Sequence, residues 1–237
     1  SIIGVSSQCV MIGTGVWRPS RLGVKGESLG NVHYAIEYLR NPAVYQLGEH
    51  VAVIGAGNTA MDVARTAFRQ GVREVTIVCH MDEAAMEARD VEVQYAKIDG
   101  ARFLFHKRAV EFAEEGPILA DTVIKTDADG RKYPEIIPGT ETLYPVDSSI
   151  IAIGQGPRAV IVSSTTGIHV GGVGLVTVDN DGRTTREGIF ASGDVVTGAK
   201  TVVEAVKVSR RVADAMDSYV RQKKAEEAIY WPVPVEK

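Results

Sequence analysis

The run from Val51 to Val78 constrains the fold of this chain more than any other stretch. Val51-Ala-Val-Ile54 is an unbroken apolar segment, as a strand needs when a parallel sheet covers both its faces. Gly55-Ala-Gly57-Asn58 follows as a tight turn. Over 59–69 the apolar side chains fall at Ala60, Val63, Ala64, Ala67 and Phe68, the spacing of a helix with one buried stripe. Gly71 stops that helix, and Val75-Thr-Ile-Val78 resumes an apolar strand. Strand, helix and strand in so short a span make a βαβ unit, whose crossover is right-handed in nearly all proteins.

The flanking sequence extends this α/β pattern. Residues 8–12 read as a short buried strand running into Gly13-Thr-Gly15, and a short helix is expected over Val32–Leu39, ending before Pro42. Ala84–Ile98 reads as a helix closed by Gly100, with Arg102–Phe105 as the next strand. Thr122–Thr126 and Lys132–Ile137 flank Asp127-Ala-Asp-Gly130, a hairpin signal inserted after the parallel unit. Ser149–Ile153, Gly174–Asp179 and Ile189–Ser192 are further expected strands. Residues 200–220 show helical spacing through Val202, Val203, Val206, Val212 and Met216, and 221–237 read as a frayed tail. Cys9–Gly15 and Ile150–Gly156 are both strands entering Gly-x-Gly turns, and they bracket the βαβ segment. That echo fits one domain inserted into another, and equally fits two ordinary glycine-ended strands.

Chemistry enters at Gly55-Ala-Gly57-Asn58-Thr59-Ala60, a G-x-G-x-x-A that follows a strand and opens a helix. In a Rossmann-like dinucleotide site Gly55 permits the tight turn, Gly57 lets a pyrophosphate reach the backbone, and Ala60 lets helix and strand pack closely. The free N–H groups at the helix start then bind the anion. A βα turn without a ligand is the alternative reading. A second match, Gly154-Gln-Gly156-Pro-Arg-Ala159, runs into β-branched Val160-Ile-Val162 rather than a helix and reads as a decoy. Sites for NAD place an acid about 20 residues beyond the glycines. Here that position is Cys79, followed by His80 and Met81, and 75–81 hold no acid, which favours NADPH while leaving NADH possible. No arginine pair is present for a 2′-phosphate; His80 is the candidate contact, with Arg89 within reach. Ile189-Phe-Ala-Ser-Gly193-Asp194 ends a strand just before a helix start. It can set one carboxylate beside a ribitol hydroxyl, with the helix dipole supporting negative charge on a flavin, or it can be a simple helix cap.

Composition narrows the classes. The 237 residues are 45% hydrophobic and 24% charged, ordinary values for a soluble globular protein. A formal charge of −4 and no basic stripe argue against nucleic acid as a partner. Arg221-Gln-Lys-Lys224 is followed at once by Glu226 and Glu227 and reads as a solvated helix end. No apolar run approaches the ~20 residues of a membrane span, and the chain shows no signal-peptide pattern, so no membrane and a cytoplasmic setting are expected. Cys9 and Cys79 cannot form a Cys-x-x-Cys pair or ligate an iron–sulfur cluster, and both are expected to be buried and inert.

Taken together, Val51–Arg69, Met86–Ala101, Ala152-Ile-Gly-Gln155 and Phe190–Val203 resemble the family of glutamate synthase small (beta) subunits and related pyridine nucleotide–disulfide oxidoreductase-like flavoproteins. The likeness runs from Met11-Ile-Gly-Thr-Gly15 to about Val220, and Gly-Asp-Val-Val-Thr-Gly-Ala at 193–199 is its most specific part. The resemblance implies that NADPH passes a hydride to FAD and that electrons leave toward an electron-accepting subunit or domain of iron–sulfur or amidotransferase type. It implies a split FAD domain with the NADPH domain inserted. That gives 1–44 as a partial FAD segment and connector, 45–148 as the NAD(P)H domain, 149–220 as the second FAD segment, and 221–237 as a tail. By the same matching, Gly55, Gly57, Asn58, Thr59 and Ala60 line the pyrophosphate. Gly193 and Asp194 contact the FAD ribityl and phosphate region, and Thr201 and Val202 lie near the flavin ring. The family's first FAD glycine motif and its cysteine-rich segment have no counterpart here, so the FAD site is only partly encoded. The chain is expected to be a C-terminal fragment or a subunit completed by another chain, weak in cofactor binding and turnover by itself. His33, His106 and His169 are expected in surface or packing roles. The alternatives are a non-catalytic dinucleotide-binding module and a free-standing dehydrogenase, the latter lacking a candidate acid/base site.

Overall fold

A computed structural model describes residues 8–130, 132–157 and 165–230, with side chains as far as Glu226. In chain order the strands are β1 (Val10–Ile12), β2 (Arg18–Pro19), β3 (Val32–Tyr34), β4 (His50–Ile54), β5 (Glu74–Val78), β6 (Arg102–Leu104) and β7 (Lys107–Ala113). They continue as β8 (Gly116–Thr126), β9 (Lys132–Ile136), β10 (Thr142–Leu143), β11 (Ser148–Ile151), β12 (Gln155–Gly156) and β13 (Ile189–Ala191). The helices are α1 (Ala35–Arg40), α2 (Asn58–Arg69), α3 (Asp90–Ile98), α4 (Asp194–Thr197) and α5 (Val202–Tyr230). Two compact units result: Pro19–Gly154, and a second formed by the two outer segments of the chain.

The Pro19–Gly154 unit is built on a five-stranded parallel sheet in the order β3-β11-β4-β5-β6. Its central strands are covered on both faces and carry apolar runs at Val51–Ile54, Ile77–Val78 and Ile150–Ile151, with Thr76, Ser148 and Ser149 as buried polar residues among them. Val51, Val53, Val75, Ile77 and Ile150 point to one face and pack against Ala60, Met61, Val63, Ala64 and Ala67 of α2. The alternate positions Ala52, Ile54, Val78 and Ile151 point to the other face. There they meet Ala109, Phe112 and Leu119 of an antiparallel group in which β8 pairs β7, β9 and β10. Alanines at 60, 64 and 67, all fully buried, let α2 approach the sheet closely.

Three expectations change in this unit. The helix expected over Val32–Leu39 is divided, because Val32–Tyr34 pairs in parallel with β11 and only Ala35–Arg40 is helical. The same pairing brings residues 19–44 into this unit, which therefore extends beyond the expected 45–148. The helix expected over Ala84–Ile98 begins only at Asp90. Ala88 N–H donates to the Ala56 carbonyl at 3.1 Å and Arg89 N–H to Asn58 Oδ1 at 2.9 Å, which holds the preceding segment extended. A 3-10 turn over Glu83–Ala85 precedes it.

In the other unit β1 pairs in parallel with β13, from Val10 opposite Ile189 to Ile12 opposite Ala191. Ile12, Ile168, Val176, Ala191 and Val195 form its core. Gly174–Asp179 contributes isolated bridges, Val170 with Val176 and Val178 with Thr184, rather than a continuous strand. Helix α5 continues to Tyr230, so 221–230 is helical where a frayed tail was expected. Ion pairs Arg221–Asp217 and Lys223–Glu226 run along its surface. Among the described residues no helix is long and apolar enough to cross a membrane.

Candidate functional site

The glycine turn sits where β4 ends and α2 begins, and its two glycines answer to different constraints. Gly55 has φ +142°, and its N–H donates to the Val78 carbonyl at 3.1 Å. A Cβ there would lie 2.2 Å from the Ala152 carbonyl oxygen, so the fold itself demands glycine. Gly57 has φ −92° and ψ 176°, a conformation open to any residue, and a Cβ there would meet nothing within 4 Å. Among the described residues nothing requires glycine at 57. The bare backbone is what a phosphate needs for close approach.

Helix α2 starts at Asn58 with no side-chain cap; the Ala60 N–H turns back to the Gly57 carbonyl at 3.0 Å, which leaves the N–H groups of Asn58 and Thr59 to a ligand or solvent. Asn58 is exposed, and its Oδ1 already accepts from Arg89 N–H, so its side chain fixes the next loop while its backbone faces the turn. Thr59 is half-buried and Ala60 fully buried. The guanidinium of Arg89 is paired with Glu92 at 3.2 Å.

At the end of β5, Cys79 is buried and Cys9 only half-buried, so the expected burial holds for Cys79 alone. Burial, aided by Glu83, pushes the Cys79 thiol up to about 12. The Cys79 carbonyl accepts from Lys107 N–H at 2.9 Å, and the His80 carbonyl accepts from Thr122 Oγ1 at 2.7 Å. These bonds pin the loop to β7 and β8. Burial and the neighbouring Arg108 charge lower the His80 pKa, against the pull of Glu87. Gly55, Val78, His80, Lys107, Arg108 and Ile153 share the lining of a cleft of about 230 Å³ at the carboxyl ends of the parallel strands. The structure brings Gly55 and His80 to one cleft, and beside them Lys107 and Arg108, which glycine spacing does not single out. Their signal was an adjacent basic pair just beyond the Arg102–Phe105 strand.

In the outer-segment unit, Gly193 (φ +76°) leads from β13 into α4, and Asp194 Oδ1 accepts from Lys200 N–H at 3.2 Å. Thr201 and Glu204 make a capping box at the start of α5. Thr201 N–H and its hydroxyl donate to Glu204 Oε2 at 3.1 and 2.9 Å, and Glu204 N–H returns a bond to Thr201 Oγ1. The Thr201 backbone N–H and then its hydroxyl hold the Glu204 carboxyl below its ordinary value. Val202 and Val203 are 79% and 77% exposed, an apolar surface directly beyond the cap. His33 packs edge-on against Tyr45, with its pKa lowered by burial, and His106 holds a positive φ of 54°. His169 N–H donates to Thr185 Oγ1 at 2.9 Å. Residues 158–162 of the second glycine motif and its sequel lie outside the described residues. Among the described residues no His, Cys, Asp and Glu cluster could hold a metal ion.

The family model described as pyridine nucleotide-disulphide oxidoreductase matches residues 5–209. The chain is 35% identical to the glutamate synthase [NADPH] small chain of Halomonas elongata, over 89% of this chain and 49% of that protein. It is 39% identical to the NADP(+)-dependent formate dehydrogenase subunit beta of Moorella thermoacetica, over 90% of this chain and 32% of that one. The chain thus spans half or less of these relatives. Among solved structures, Mycobacterium tuberculosis FprA in complex with NADPH superimposes with a TM-score of 0.76 at 16% identity, covering 93% of this chain and 65% of FprA, a likeness of fold alone. Thioredoxin reductase of T. acidophilum gives 0.67 at 25% identity, covering 90% and 66%. The open glycine turn on a parallel sheet, the split outer unit and a family match over most of the sequence agree, and the chain belongs to the pyridine nucleotide-disulphide oxidoreductase family.

Proposed function

We propose that this chain supplies the NADPH-binding domain and part of the FAD-binding domain of an NADPH-dependent flavin oxidoreductase that hands its electrons to a partner subunit or domain. The observation that carries the reading is Gly57. Its backbone is open, its Cβ direction is empty, and it stands at the uncapped start of α2 within a family-matched chain. Gly57, Asn58 and Thr59 would hold the pyrophosphate through backbone N–H groups, while Gly55 and Ala60, whose N–H groups donate to the Val78 and Gly57 carbonyls, would shape the turn and its close packing. The lack of a carboxylate at 79–81 favours NADPH over NADH, as do the names of the relatives from Halomonas elongata and Moorella thermoacetica.

Gly193 and Asp194 would meet the ribityl and phosphate region of FAD, and Thr201 and Val202 would border its ring. The capping box keeps Thr201 and Glu204 fixed on each other, so the first turn of α5 is presented as a rigid edge. When both cofactors are bound, NADPH supplies a hydride and FAD accepts it. The chain's part is to orient them and exclude water, and no side-chain acid or base is needed. Two relatives are named as a small chain and a subunit beta, which supports onward transfer to another polypeptide.

The test uses the native full-length polypeptide, mixed anaerobically with NADPH while the flavin absorbance is followed. Bleaching of bound FAD, and NADPH oxidation with an artificial acceptor, are expected. A colourless protein that leaves NADPH unoxidised would leave a binding module in its place.

A further inference from the structure

The cleft that joins the glycine turn to His80 has a cationic wall. Lys107 and Arg108 open β7, directly across it from the ends of β4 and β5. Lys107 is committed, since its Nζ lies 2.5 Å from Asp121 Oδ1. Arg108 is exposed, lies close enough to His80 to act on its charge, and has no ion pair or hydrogen-bonded side-chain partner among the described residues. None of the described residues lining the cleft is acidic. The backbone bond from Lys107 N–H to the Cys79 carbonyl, 2.9 Å, fixes β7 against the loop that follows β5. That loop end is where a dinucleotide site of this fold reads the adenosine ribose.

We infer that Arg108 is the specificity-determining residue for the 2′-phosphate of NADPH, taking from β7 the task for which the β5 loop has only His80. The inference rests on the proposed dinucleotide site. A guanidinium keeps its charge at all working pH values and can meet a phosphate through two parallel N–H groups. The pyrophosphate has its own donors at the start of α2, so the unpaired cation serves the second anionic group of the ligand. His80, largely neutral at pH 7 because burial and Arg108 lower its pKa, contributes a hydrogen bond rather than charge.

The probes are adenosine 2′,5′-bisphosphate, ADP and NADPH, titrated calorimetrically into the full chain and into Arg108→Gln and Arg108→Lys. The side chain is exposed and unpaired, so both variants are expected to fold, with circular dichroism as the check. Arg108→Gln is expected to weaken the 2′,5′-bisphosphate and NADPH by about 10- to 100-fold while ADP changes by less than about twofold, and Arg108→Lys to recover part of the loss. An equal loss for ADP and the bisphosphate would place Arg108 on the pyrophosphate and overturn the inference. So would an unchanged preference in Arg108→Gln. Binding of none of the three ligands by the unsubstituted chain would overturn the dinucleotide reading itself, and this inference with it.

Discussion

Gly55→Ala separates the demands of the fold from those of a ligand. The added methyl would lie 2.2 Å from the Ala152 carbonyl oxygen and 2.8 Å from its carbon. Both atoms are backbone, so the clash cannot be relieved by a side-chain rotation. Alanine at φ +142° carries a backbone strain of about 1–3 kcal/mol. Relief requires the end of β11 to move off β4, which loosens the 2.7 Å bond from Ala152 N–H to the Ile54 carbonyl, a further cost of about 0.5–1.5 kcal/mol. A total near 3 kcal/mol, at about 2–4 °C per kcal/mol for a chain of this size, lowers the melting temperature by about 6–12 °C. Thermal denaturation followed by far-ultraviolet circular dichroism, without any nucleotide, is the assay. A variant melting within about 1 °C of the parent would refute the claim that close approach to Ala152 fixes this glycine.

Three other outcomes follow from the same geometry. Asp147 Oδ2 accepts from His50 and Glu49 N–H, both at 2.8 Å, and these bonds hold its carboxyl below the ordinary 3.8. The ionised form is thus favoured by folding, a contribution complete above the ordinary value and lost as pH falls through the lower folded one. The side chain is half exposed, so Asp147→Asn is expected to cost no more than about 1 kcal/mol at neutral pH. Urea midpoints of the two proteins should converge in strong acid, and a constant gap would count against the assignment. A thiol-reactive dye at mildly alkaline pH should label Cys9 quickly and leave Cys79 untouched until denaturant is added; equal native rates would contradict the burial of Cys79. Tyr144→Phe leaves the buried Thr76 hydroxyl without its 3.0 Å partner and should cost about 1–2 kcal/mol in chemical denaturation.

The parts legible in the sequence were those whose signals are local. The β4–α2–β5 run could be read because apolar periodicity and glycine placement act over a few residues. What tertiary pairing decides was misread. Val32-His-Tyr34 runs straight into helical spacing, and only its partner β11, far along the chain, makes it a strand. Ala84–Met86 has helical composition, but bonds from Ala88 and Arg89 to Ala56 and Asn58 hold the following stretch out of the helix. The same limit hid Arg108 from the cleft. Its position depends on β7 folding back beneath β5 through the Lys107–Cys79 bond and the positive φ of His106, neither of which spacing reveals. The candidate flavin contacts at 193–202 carried a specific pattern, and the capping box at Thr201 and Glu204 was equally present as Thr-x-x-Glu.

The central claim is that the open turn at Gly57 receives the pyrophosphate of NADPH. It is tested most directly by titrating NADPH into the parent chain and into Gly57→Val, with nicotinamide fluorescence as the readout. A Cβ at 57 meets nothing within 4 Å among the described residues, so the melting temperature should fall by no more than about 2–4 °C, the cost of a poorer N-cap residue, while saturable binding is lost. Equal NADPH affinity in the two proteins would contradict the account.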